Sequence, residues 1–74
     1  MNYDKPLIGA AEASKYQIGD RVWYVQPTGG ARIGTIVGTE GDKDGYAILD
    51  VQVDGLDHEN WDYPQDFTHL SPMA

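Results

Sequence analysis

Two histidines, His58 and His69, are the side chains of this sequence best suited to proton transfer, and Ser14 and Ser71 are its two serines. Nucleophilic catalysis needs a hydroxyl or thiol beside a base that a third group orients. Ser14 and Ser71 lie in terminal segments and the two histidines are isolated from both. His58 sits in the polar, loop-like run Asp57-His58-Glu59-Asn60, and His69 precedes Leu70 in a short segment near the end; both read as surface histidines. There is no Cys, and two histidines eleven positions apart make no zinc pattern. The expectation is a protein that is not an enzyme, with no catalytic residue, no cofactor and no bound metal.

One carboxylate run invites a metal test. Glu40-Gly41-Asp42-Lys43-Asp44-Gly45-Tyr46 has acids at positions 1, 3 and 5 and Gly at 6, as a calcium loop begins. Such a loop closes with a bidentate Glu at position 12, which here is Val51, and position 8 is Ala47. The run reads instead as a Gly-Asp hairpin turn with its acids in water.

Aromatic side chains offer a different chemistry. Trp23, Tyr24, Tyr46, Trp61, Tyr63 and Phe67 fall in or beside apolar runs, and the negative faces of such rings attract cations. A small domain also needs aromatics to fill its core. Tyr24, Trp61 and Phe67 are expected in the core, and Trp23 and Tyr46 at the surface as contact residues.

Charge points the same way. The 74 residues carry twelve Asp and Glu against five Lys and Arg, a formal net charge of −7. The acids are concentrated: residues 40–66 hold nine of them with Lys43 as the only base, whereas residues 1–39 are nearly neutral. Phosphates and anionic lipid would be repelled, which argues against direct binding to nucleic acid or a membrane. A basic protein surface would be attracted. Asp42, Asp44, Asp54, Asp57, Glu59 and Asp62, with Trp23 and Tyr46, are the expected partner-binding residues. A purely solubilising role for the same acids is the plainer alternative.

Short strands must position these groups. Residues 1–15 contain Pro6 and no sustained period, and are expected to be an N-terminal arm, flexible or with one short helical turn. From residue 16 to 72, Gly and Asp clusters separate short runs rich in β-branched and aromatic residues, which predicts a single small antiparallel β domain. In the run from Tyr46 to Val53, Ala47, Leu49, Val51 and Val53 alternate with Ile48, Asp50 and Gln52, so the first set should face the core. In Arg21–Val25, placing Val22 and Tyr24 inward leaves Trp23 outward. Gly34 and Gly38 suit a strongly bent strand. The longest apolar stretch is four residues, too short for a membrane helix or a secretory leader. Together with the absence of Cys this suits a cytoplasmic location, or the host cytoplasm for a viral protein.

The order of these features resembles the SH3-like barrels, including KOW, Tudor-type and bacterial SH3 members. Ile18-Gly19-Asp20-Arg21-Val22-Trp23-Tyr24 looks like their G-D-x-V entry to the first strand, and Gly34-Thr35-Ile36-Val37 like the second. Tyr46 to Gly55 is similar to the third strand and its exit, and Trp61 to Leu70 to the fourth strand, a 3₁₀ turn and a short fifth strand, with Pro64, Phe67 and Leu70 as anchors. The resemblance covers residues 18–71 and implies a five-stranded antiparallel SH3-like barrel, all-β, with a short 3₁₀ turn before the last strand. In Tudor-type relatives aromatics near one end of the barrel cage a methylated cation. The peptide-binding SH3 signature is missing, and the acidity is opposite in sign to that of RNA-holding KOW members.

Together these readings predict a non-enzymatic protein-binding module, a monomer or weak dimer, that presents an acidic, aromatic-flanked surface to a basic partner. In size, acidity and lack of Cys the chain resembles small phage-encoded inhibitors. That resemblance implies a sharper form, an inhibitor whose carboxylates stand in for phosphates in a nucleic-acid-binding cleft. The alternative is a structural or accessory subunit of a larger assembly, docked through its N-terminal arm.

Overall fold

The computed structural model describes residues 6–70. Alternation of apolar and polar residues between glycine-rich turns gives five strands: β1 (Arg21–Val25), β2 (Ala31–Gly41), β3 (Ala47–Val53), β4 (Glu59–Asp62) and β5 (Phe67–His69). A 3₁₀ turn, Pro64–Asp66, precedes β5, and one turn of helix, α1 (Ala10–Ala13), precedes β1. The strands form a single antiparallel sheet in the order β4-β3-β2-β1-β5. The all-β, five-stranded antiparallel expectation therefore stands. The sheet is not closed on itself, however: β4 and β5 are its two edges, and no ladder joins them. No helix among the described residues is long and apolar enough to cross a membrane.

The period of two decides the faces. Val22 and Tyr24 of β1 are buried with Trp23 exposed between them, and Ala47, Leu49, Val51 and Val53 of β3 are buried on the same inner side. Ile36 of β2 and Phe67 of β5 complete this core, with Tyr16 and Leu56 packed against its margins. Ile48 is also buried, although alternation assigns it to the outer side. Burial of such side chains contributes about 1.5–3 kcal/mol each, so a handful carries much of the stability of a domain this small.

Strand β2 is long and must bend. Its pairing with β3 slips between Ile36 and Gly38, leaving Val37 as an extra residue that kinks the ladder. Gly34 permits close approach: a Cβ there would lie 2.8 Å from both the Gln52 carbonyl oxygen and Val51 Cγ2. The turn from β2 to β3 is fixed by Asp42, whose Oδ1 accepts hydrogen bonds from the backbone N–H of Asp44 and of Tyr46, both at 2.9 Å. Gly45, at φ 87°, supplies the left-handed residue that this tight reversal requires.

The described part of the N-terminal segment, residues 6–15, lies against the sheet. Ile8 donates to the Gly45 carbonyl and accepts from Ala47 N–H, both at 2.8 Å, a short parallel bridge beside β3. Ala13 of α1 is buried in the core cluster. Beside α1 a cavity of about 300 Å³ is lined by Leu7, Ala10, Tyr16, Thr39 and Ala47.

Tyr24 and Asp62 join distant strands. Tyr24 Oη donates to Asp62 Oδ2 at 3.0 Å in the buried interior, although β2 and β3 lie between their strands. Tyr24→Phe leaves that carboxylate oxygen without its donor, at an expected cost of about 1–3 kcal/mol. Gly34→Ala is expected to cost about 1–3 kcal/mol through the clash with the β3 backbone. Urea denaturation monitored by circular dichroism measures both as a lowered midpoint.

Candidate acidic and aromatic site

The β2–β3 turn and the β4–3₁₀ connection lie side by side at one end of the molecule and carry the aromatic residues. Tyr46 follows the turn and meets Tyr63 edge to face at a centroid distance of 6.2 Å. Tyr63 in turn meets Trp61 edge to face at 5.9 Å. Such perpendicular contacts are the preferred geometry of aromatic pairs. Tyr63 Oη donates to Asp42 Oδ2 at 2.9 Å, which binds the aromatic row to the acidic turn. Asp44, Tyr46, Tyr63 and Gln65 line a shallow, open cleft of about 260 Å³. Exposed ring faces next to carboxylates suit a cation.

Both carboxylate oxygens of Asp42 are engaged by neighbouring donors. Its Oδ1 accepts two backbone N–H groups and its Oδ2 accepts the Tyr63 hydroxyl, and these bonds hold its carboxyl below the usual carboxylate range. The same bond and the surrounding acids raise the Tyr63 hydroxyl above its ordinary value. Among the described residues no group of three or more His, Cys, Asp and Glu is arranged to hold a metal ion.

A second acidic group lies on the outer face of the sheet. Asp50 of β3 stands opposite Gly38 of β2 and Trp61 of β4. Glu40 and Glu59 are its diagonal neighbours, since Glu40 pairs with Ile48 and Glu59 with Gln52. Asp50 leans over Gly38, where a Cβ would lie 3.1 Å from its Oδ2. Partial burial, the Glu40 carboxyl within hydrogen-bonding reach, and the charge of Glu59 push Asp50 up to about 6.

The structure thus divides the exposed expected contact residues among four places. Tyr46 is exposed, as expected, and joins Asp42 and Asp44 at the cleft; Glu59 belongs to the acidic sheet face. Trp23 is exposed too, but stands on the β1–β2 half of the outer face, opposite Ile33. Asp54 lies there as well, bound to Arg21 by two hydrogen bonds of 2.7 and 2.9 Å. Asp57 is in the β3–β4 loop beside His58, at 3.2 Å.

Two expectations fail together at Trp61 and Asp62. Trp61, expected in the core, is 53% exposed, and Asp62, expected on the binding surface, is only 7% exposed. The register explains both. Asp62 pairs with Leu49, which faces inward, and Trp61 pairs with Asp50, which faces outward. Asp62 tolerates burial because Tyr24 Oη and the Tyr63 backbone N–H both donate to it. Trp61, Tyr63 and Gln65 were missed as surface residues of one patch. For Trp61 and Tyr63 the spacing of two along extended backbone is the signal, since residues i and i+2 share a face, whereas Gln65 is brought alongside by the 3₁₀ turn.

The raised Asp50 has a testable consequence. Its folded state holds the proton more tightly than the unfolded chain does, so stability is lost as pH rises from the ordinary Asp range through about 6. Asp50→Asn keeps the hydrogen-bonding shape and removes the charge. Urea midpoints of variant and wild type are expected to diverge from about pH 4 to 6, with the variant more stable, and to differ by a constant amount above pH 7.

Compared with known proteins, the chain matches no family model, and no curated protein and no solved structure is significantly similar to it.

Proposed function

We propose that this chain is a non-enzymatic protein-binding module that receives a basic partner on the acidic, aromatic-lined end of its sheet. One observation carries the reading: the row Tyr46–Tyr63–Trp61 is half open to solvent and bordered by Asp42 and Asp44, with Glu40, Asp50 and Glu59 on the adjoining sheet face. An arginine or lysine of the partner would enter the cleft between Tyr46 and Tyr63, and Trp61 would supply a flat apolar contact beside it. The acids around the cleft would steer the encounter and make it salt-sensitive.

The strand order and the 3₁₀ turn before β5 support an SH3-like build, in which the sheet curls around its inner face without closing. The sharper reading, an inhibitor of phage type that fills a nucleic-acid-binding cleft in a host cytoplasm, draws its support from the carboxylates spaced over Glu40, Asp42, Asp44, Asp50 and Glu59. The accessory-subunit reading is the weaker one. Residues 6–15 spend backbone hydrogen bonds and Ala13 on their own sheet, which leaves less of the segment for docking elsewhere.

Calorimetric titration with an arginine-rich synthetic peptide tests the binding reading. Binding is expected at low salt and weakens steeply as salt rises past the Debye regime of about 10 Å at 0.1 M. Tyr46→Ala and Trp61→Ala are each expected to weaken it roughly tenfold, about 1.4 kcal/mol. Trp23→Ala, on the other half of the face, leaves it unchanged. Absence of binding at low salt, or equal affinity across the salt series, sinks the proposal. In the inhibitor form, DNA added to the module and its target enzyme competes with the complex.

A further inference from the structure

In an antiparallel sheet each residue turns its N–H and C=O together toward one neighbouring strand, and successive residues alternate. The bonds at the two ends of β3 fix that phase. Asp42 N–H donates to the Tyr46 carbonyl at 2.9 Å and Asp54 N–H to the Ile33 carbonyl at 3.0 Å, so the even-numbered residues of β3 serve β2. Ala47 donates to Ile8 on the opposite side, so the odd-numbered residues serve β4. Their partners on β4 are Asp62 for Leu49 and Asn60 for Val51. Asn60 and Asp62 therefore spend their backbone groups on β3, and the N–H and C=O of Glu59 and Trp61 point outward along the edge. Among the described residues no turn, loop or strand bonds to these two donors and two acceptors. The next group in the same phase, Tyr63 N–H, is taken by Asp62 Oδ1 at 2.8 Å, which ends the open run.

The other edge of the sheet is covered. Leu70 N–H donates to the Arg21 carbonyl at 3.0 Å, which turns Thr68 toward β1 and Phe67 and His69 outward on β5. There the Tyr16 hydroxyl donates to the Phe67 carbonyl at 2.8 Å, and the Tyr16 ring stacks on His69 at a centroid distance of 4.4 Å. Strand β4 is the edge left free. An open edge is a template for any extended chain, and its side chains decide which one is admitted. Glu59 and Trp61 face outward, with Asp50 beside Trp61 and Glu40 diagonal to Asp50. A second copy of the chain would bring its own Glu59 and a net charge of −7 against these acids. A cationic strand would be drawn to them.

We propose that the partner docks as an extended basic segment that adds antiparallel to β4, exchanging backbone hydrogen bonds with Glu59 and Trp61 and laying an arginine or lysine at every second position over the outer face. The inference rests on the basic-partner reading above and specifies the form the partner takes. The antiparallel direction continues the pairing of the whole sheet and is slightly the more stable per residue. In that pairing the residues directly opposite Glu59 and Trp61 make the backbone bonds and also share their face. The same residues of the partner thus supply both the bonds and the charges. Their long side chains lie beside the Trp61 ring and reach Glu59 and Asp50, and the next outward residue past Trp61 arrives at Tyr63 and the cleft.

A capped peptide in which arginine and threonine alternate, titrated calorimetrically into the full chain at low salt, tests it. Methylating the backbone nitrogens of the arginines removes the donors that face β4 while keeping every charge, and is expected to weaken binding by roughly tenfold or more. Methylating the threonine nitrogens, which point away from β4, is expected to leave the affinity unchanged. With the unmethylated peptide bound, hydrogen exchange at the Glu59 and Trp61 amides is expected to slow by roughly tenfold or more. Binding that is insensitive to methylation of the arginines, or weakened as much or more by methylation of the threonines, overturns strand addition and leaves the cleft reading standing. Unchanged exchange at Glu59 and Trp61 in the bound chain does the same. If the unmethylated peptide fails to bind at low salt, the basic-partner reading falls and strand addition falls with it.

Discussion

The contact on which the molecule turns is the buried hydrogen bond from Tyr24 to Asp62. The sheet order puts two strands between them, so a flat sheet would hold these side chains well apart, at about 4.8 Å per strand spacing. They meet because the sheet coils around its inner face, helped by the slipped register at Val37 and the absent side chain at Gly34. Val22, Ile36, Leu49, Val51 and Val53 are fully buried within the concavity. The Tyr24–Asp62 bond then spans its mouth. An edge strand of four residues would be poorly anchored by one ladder alone, and this bond gives β4 a second attachment, to β1.

Burying a carboxylate is costly unless its lone pairs are satisfied. Here the tyrosine hydroxyl and the Tyr63 N–H supply the partners. The reciprocal effect is visible at Tyr24: burial together with its acidic partner pushes the hydroxyl up to about 12, so it stays a donor through the physiological range. Because Asp62 takes the inward place on β4, Trp61 must point outward, and Tyr63 two residues on follows it. The exposed aromatic row is thus a by-product of the polar core. Site and fold share one constraint.

The same constraint explains where the sequence could be read and where it could not. Alternation in Val22–Tyr24 and in Ala47–Val53 placed those residues correctly, because each run has one face that is plainly apolar. The surface positions of Trp23 and Tyr46 followed from the same logic. At Trp61-Asp62 the rule inverts: hydrophobicity alone sends the indole inward and the carboxylate outward. The Tyr24 hydroxyl, thirty-eight positions away in sequence, joins the Tyr63 N–H in making the opposite choice favourable. The open edges were equally beyond reach. Five strand signals in the right order specify which strands neighbour one another, but closure depends on curvature accumulated across four ladders, and no local motif reports that sum.

Electrostatics gives the acidic end its direction. Arg21, His58 and His69 each contact an acid, but those pairs lie with Asp54, Asp57 and Asp20, away from the Tyr46–Tyr63–Trp61 row. Asp50 is left between Glu40 and Glu59 with its ionisation opposed rather than assisted. Repulsion of this kind lowers the stability of the isolated chain, and solubility alone would be served as well by acids spread evenly over the surface. Concentrated beside exposed aromatic rings, the same charges would be relieved by the basic partner proposed above. A basic partner would therefore gain its own contacts and also release strain already present in the sheet, so docking at this end would be coupled to protons as well as to salt.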